Sequence, residues 1–137
     1  MDRLGGDIWL FGSARGNRVS AGVLSEGNGG LFIDDKSFGV SRYALEGPCS
    51  GNVVAIGRIE QHRVAGQISG SSDNRVTIDT ADVRDTAFII DQGRGQSSMP
   101  VPTAGNQVEI ARLTGARSLY GDALSGSRLR GPFDGGQ

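Results

Sequence analysis

Short apolar or alternating stretches, cut every few residues by Gly, Asn, Asp and Ser, run through most of the chain. Amphipathic helical spacing is hard to find before residue 106. Alternation with period two is the mark of a half-buried strand, and the small polar clusters between runs are turn residues. Residues 8–13, 18–25, 31–33 and 41–46 read as strands, and so do 53–59, 63–69, 75–80 and 86–91. Glu26-Gly27-Asn28-Gly29-Gly30 reads as a tight hairpin connection and Ser71-Ser72-Asp73-Asn74 as a turn, since Gly, Asn and Asp tolerate positive φ. Parallel pairing needs crossovers of a dozen residues or more, so strands joined by connections this short are expected to pair mostly antiparallel.

Sliding the sequence by 45 positions lays residues 8–46 over 53–91 without a gap. Ile8-Trp9-Leu10-Phe11-Gly12 meets Val53-Val54-Ala55-Ile56-Gly57, Leu31-Phe32-Ile33-Asp34 meets Val76-Thr77-Ile78-Asp79, and Tyr43-Ala44-Leu45-Glu46 meets Phe88-Ile89-Ile90-Asp91. The expected fold is therefore an all-β antiparallel barrel or sandwich, one domain over 1–137, built from a tandem repeat of about 45 residues. Residues 93–137 form either a degenerate third repeat, which gives the chain the outline of a β-trefoil or β-prism, or an extended C-terminal arm. A short helix over 106–116 competes with a strand there, because Val108 and Ile110 also alternate.

Composition narrows the function classes. The 137 residues carry a net charge of −1, which argues against coating nucleic acid along the whole surface. One Cys and one His exclude a disulfide framework and every two-histidine metal motif, so no metal or cofactor is predicted. The start lacks a basic segment followed by an apolar run, and the longest apolar runs are four residues, against the roughly 20 that a bilayer span needs. A cytoplasmic location, or assembly into a particle without a signal peptide, is expected.

Few residues offer chemistry. Asp79-Thr80-Ala81 after Val76-Thr77-Ile78 resembles the way retroviral-type aspartic proteases present their carboxylate at the end of an apolar strand. That resemblance implies a second copy of Asp79 across a dimer axis, the two sharing one proton. The residues themselves favour a simpler role for Asp79, ending a strand and accepting turn hydrogen bonds. Asp79, Asp82, Asp85 and Asp91 form an acidic run that matches no standard calcium loop. His62 reads as an exposed turn histidine, Cys49 as a small, partly buried residue between repeats, and Trp9 as a packing residue. Lys36 is the single lysine, and no phosphate-binding loop contains it.

The last third differs in charge: residues 93–137 hold five basic and three acidic side chains, the rest nine and twelve. Its arginines, Arg94, Arg112, Arg117, Arg128 and Arg130, are the candidate anion or interface contacts, because a guanidinium presents a planar fork to a carboxylate or phosphate. The function expected from this pattern is that of a non-enzymatic structural protein, acting through homo- or hetero-oligomerisation and suited to a virion, tail or similar particle. Its partners would be itself or other subunits, with no membrane. The competing readings are a module that binds a small molecule or carbohydrate, and the protease built on Asp79.

Overall fold

A computed structural model describes residues 6–11, 14–35, 49–93 and 102–133. The strands are β1 (Gly6–Leu10), β2 (Arg18–Asp34), β3 (Val53–Ser69), β4 (Arg75–Asp91), β5 (Gln107–Gly115), β6 (Leu119–Tyr120) and β7 (Arg128–Arg130). A single turn of 3-10 helix, Leu124–Gly126, precedes β7. All seven strands lie in one sheet, ordered β1-β2-β3-β4-β5-β7 with β6 beside β4, and every pairing is parallel. The all-β class stands. The antiparallel barrel or sandwich does not: the sheet is parallel throughout and open, with β1 and β7 at opposite ends.

The reason lies in the shape of the long strands. A straight strand of 17 residues would extend about 55 Å. The link from Ser69 to Arg75, residues 70–74, can span only about 22 Å. Val53 is nevertheless in parallel register with Arg75, so β3 has to bend back until its end lies near its start. It bends at Gln61, whose φ is +55°, and the register with β4 shifts on both sides of His62. β2 does the same at Glu26 (φ +53°), so the segment read as a hairpin is a corner inside one strand. Each turn of chain thus forms one winding, and sheet hydrogen bonds run along the axis of the coil. The rule that parallel strands need long crossovers assumes straight strands. Here the strand is itself the crossover.

The core is a set of apolar columns, one residue per winding. Val19, Val54, Val76, Val108 and Leu129 stack in register. Ala21, Ile56, Ile78 and Ile110 form a second column, and Leu10, Ile33, Ile68 and Ile90 a third. In the column Ile8, Leu31, Gly66, Phe88, Leu119, the ring of Phe88 occupies the space beside Gly66, where a Cβ would come within 2.7 Å of it.

The register offsets are 35, 22, 32 and 21 residues, so the pairing does not follow a 45-residue repeat. Leu10 pairs with Ile33, whereas Ala55, its counterpart at that offset, pairs with Ser20 and is exposed. The trefoil and prism outlines fall with the antiparallel pairing. The extended arm and the helix over 106–116 are also corrected: β5 pairs with β4 over Gln107–Gly115, and β6 and β7 join the same sheet. The strand expected over 41–46 lies outside the described residues. No helix among the described residues is long and apolar enough to cross a membrane.

A ladder of asparagines fixes the start of each winding. Gly16, Gly51, Asp73 and Gly105 all have φ between +60° and +72°, and each is followed by an asparagine. The side-chain oxygen of Asn52 accepts from the backbone N–H of Asn17 (2.9 Å) and from its amide (3.0 Å). Asn74 accepts likewise from Asn52 at 3.1 and 2.9 Å, and Asn106 from Asn74 at 3.0 and 3.0 Å. The amide of Asn106 closes the series on Ser71 O and Ser127 Oγ. Asn52, Asn74 and Asn106 are buried, where an unmade hydrogen bond is costly.

Replacing Asn74 by Ala strips partners from Asn52 N–H, Asn106 Oδ1 and Cys49 O. Urea unfolding should show a loss of about 2–4 kcal/mol. Asn17→Ala, at the exposed end of the ladder, should cost less than about 1 kcal/mol. Equal losses at the two positions would contradict a cooperative buried ladder.

Candidate binding surfaces

At the start of each winding, alternate residues point inward and outward. On β4 and β5, Val76, Ile78, Val108 and Ile110 are buried, while Arg75, Asp79, Gln107 and Glu109 are exposed. Register then sets the outward side chains side by side. Arg75 lies beside Gln107, and Gln107 beside Arg128; in the next row Thr77 lies beside Glu109, and Glu109 beside Arg130. These six residues line a shallow depression of about 300 Å³. The arginine ion pairs of the described residues are Arg58–Glu60 (3.3 Å) and Arg63–Asp85 (2.8 Å). The guanidinium groups of Arg75, Arg128 and Arg130 have no hydrogen-bond or ion-pair partner among the described residues.

Of the arginines singled out in the sequence, Arg128 and Arg130 are thus brought together. Arg112 is exposed further along β5, in register with Thr80, and Arg117 is exposed in the link before β6. Arg94 lies outside the described residues. The residue that sequence reasoning missed is Arg75. The signal was available: Gly-Asn-Arg-Val at 16–19, Gly-Asn-Val-Val at 51–54, Asp-Asn-Arg-Val at 73–76, Gly-Asn-Gln-Val at 105–108 and Gly-Ser-Arg-Leu at 126–129 mark the same point of successive windings.

The catalytic candidates are dispersed. Asp79 sits exposed inside β4, between residues aligned with Ile56 and Arg58, so the strand runs on past the point where the protease resemblance would end it. Asp82 accepts from Thr114 Oγ1 (3.1 Å) and Asp85 pairs with Arg63. Among the described residues no group of three or more His, Cys, Asp or Glu side chains is placed to hold a metal ion. His62 is fully buried rather than exposed at a turn. Its Nε2 lies 2.7 Å from Asp7 Oδ2 and its Nδ1 2.8 Å from Glu60 O, so both ring nitrogens are engaged in tying β1 to β3. Gly27 makes room for it, since a Cβ there would stand 2.6 Å from Nε2. Cys49 is fully buried, its Sγ near Leu10 O and Asp34 O. Trp9 packs against Phe11 and Phe32 with ring centroids 5.2 and 6.5 Å apart.

The two ends of the coil are unlike. At the C-terminal end Ala123, Leu129 and Phe133 lie over the core and are buried. At the other end β1 pairs only with residues 29–33 of β2. On the side away from β3, residues 18–25 have no strand partner among the described residues. Val19, Ala21 and Leu24 are only half-buried there, whereas Val54, Ile56 and Ile59 one winding below are 0%, 2% and 0% exposed. Val23, beside them, is 59% exposed.

Comparison with protein-family models, with characterised proteins and with solved structures finds no match.

The dispersed candidates separate structure from chemistry. His62→Ala should lower stability by about 2–4 kcal/mol, through a cavity and unpaired polar groups. Asp79→Asn should change it by less than about 0.5 kcal/mol. Thermal melts of the two variants check this; a large loss in Asp79→Asn would show that this carboxylate has a structural partner.

Proposed function

We propose that the protein is a non-enzymatic structural module that assembles through the open flank of β2. The observation that supports this reading is the end of the core that no described strand covers, where the edge of β2 stands beside half-exposed Val19, Ala21 and Leu24. A strand edge with no partner among the described residues is a template for another strand. The partner we favour is a second copy, joined edge to edge about a two-fold axis near Ser20. Antiparallel pairing there sets Val19 opposite Ala21 of the other copy and Arg18 opposite Gly22. It extends the apolar interior across the axis with no like charges face to face. Head-to-tail stacking is disfavoured, because continuing the column would set Arg128 of one copy beside Arg18 of the next. A module of this kind suits a virion, a tail or a similar particle, in which rigid β units are joined by their surfaces.

Light scattering after size exclusion should give about twice the chain mass of 14.3 kDa. Ser20→Lys sets two lysines across the axis and should return the mass to that of one chain, with an unchanged circular dichroism spectrum. A wild-type protein that stays at 14.3 kDa at every concentration, or a dimer that survives Ser20→Lys, would overturn the reading.

A further inference from the structure

The edge of β2 leaves the arginine-lined depression at the other end of the coil unused. We infer that this depression is a binding site for an acidic saccharide chain, one whose sugar rings carry carboxylates. Three features of the depression converge on that chemistry.

The first is uncommitted charge. Arg75, Arg128 and Arg130 come from three windings and surround one depression, and none spends its guanidinium on a carboxylate among the described residues. Each presents a planar fork that matches a carboxylate in two-point contact. Their spacing follows the sheet: Arg75 and Arg128 flank Gln107 in one row, so the two stand about 10 Å apart at the backbone, two strand spacings. Anionic groups that recur along a chain at intervals of one or two sugar rings meet that spacing.

The second feature is the polar filling between the arginines. Thr77, Gln107 and Glu109 supply hydroxyl, amide and carboxylate groups on the same floor. A carboxylate in the midst of three arginines weakens the attraction for a densely charged polyanion. It also accepts hydrogen bonds from hydroxyl groups, which a sugar has and an acidic peptide backbone lacks. Among the described residues no aromatic ring lines the depression, so they offer none of the stacking on which single-stranded nucleic acid depends.

The third feature is geometry. The site lies on the face of a parallel sheet whose backbone groups between β4, β5 and β7 are engaged, so a peptide can add as a strand only along the outer edge of β7 and not across this floor. A volume of about 300 Å³ is at the small end of ligand sites and suits one or two rings of a longer chain.

Isothermal titration of the whole protein with an oligomannuronate, at physiological ionic strength, tests the assignment. Cellotetraose, polyaspartate and oligothymidylate serve as the neutral, peptidic and nucleotide comparators. The oligomannuronate should bind and cellotetraose should not, with polyaspartate and oligothymidylate weaker by at least about tenfold. Arg128→Gln and Arg75→Gln should each weaken oligomannuronate binding by at least about tenfold, since each removes a charge-assisted contact. Both residues are exposed, so the melting temperature should hold. Glu109→Gln should narrow the gap between oligomannuronate and polyaspartate. Absence of oligomannuronate binding, equal binding of polyaspartate or oligothymidylate, or binding unchanged in both arginine variants would overturn the site. None of these outcomes bears on the β2 edge, whose test is mass.

Discussion

The buried asparagine ladder sets the register on which everything else in this protein depends. Each rung ties a backbone N–H and a side-chain amide to the next winding, and the residue just before each asparagine holds a positive φ that turns the chain into the strand. With the rungs aligned, Val19, Val54, Val76, Val108 and Leu129 are carried into one inward column two residues further on. A slip of one residue would turn that column outward and break the rungs together. Polar and apolar order therefore support the same register, which is the consistency a unique fold needs.

The same register makes surfaces. Outward rows are stacked by the rule that stacks the core, so residues far apart in sequence become neighbours without any dedicated contact. Arg75 and Arg128 share a row in this way. The bend of the long strands places their ends near their starts, and the coil is consequently built one winding at a time, each dependent on its neighbours for a partner. At the C-terminal end Phe133 and Ala123 complete the last winding; at the N-terminal end β1 covers residues 29–33 of β2, and among the described residues no strand covers its first half. The proposed assembly surface and the proposed ligand surface are thus consequences of one architecture, at opposite ends of it.

Much of the strand content was legible in the sequence. The alternation over 18–25, 53–59 and 75–80 falls within β2, β3 and β4, and the turn at Ser71-Ser72-Asp73-Asn74 falls in the link between β3 and β4. The pairing direction was not legible, because short links exclude parallel pairing only if the strands are straight. Nothing in the periodicity of β3 announces the corner at Gln61, a residue with no special liking for positive φ. The windings differ in length, so a search at one constant offset finds 45, where apolar runs coincide, and passes over the Gly-Asn steps that recur at unequal intervals. Arg128 and Arg130 were legible as a pair from their own segment, whereas Arg75 joins them only through register. His62 was read as exposed because its neighbours Gln61 and Arg63 are polar; that it turns inward follows from the corner and from the space left by Gly27.

The central claim is the parallel, in-register winding, and nuclear Overhauser spectroscopy tests it most directly. The account requires methyl contacts that link Val54 to Val76, Val76 to Val108 and Val108 to Leu129 in an unbroken series, together with side-chain amide contacts from Asn52 to Asn74 and from Asn74 to Asn106. Strong Hα–Hα cross-peaks between neighbouring strands, which antiparallel pairs produce and parallel pairs do not, would contradict it.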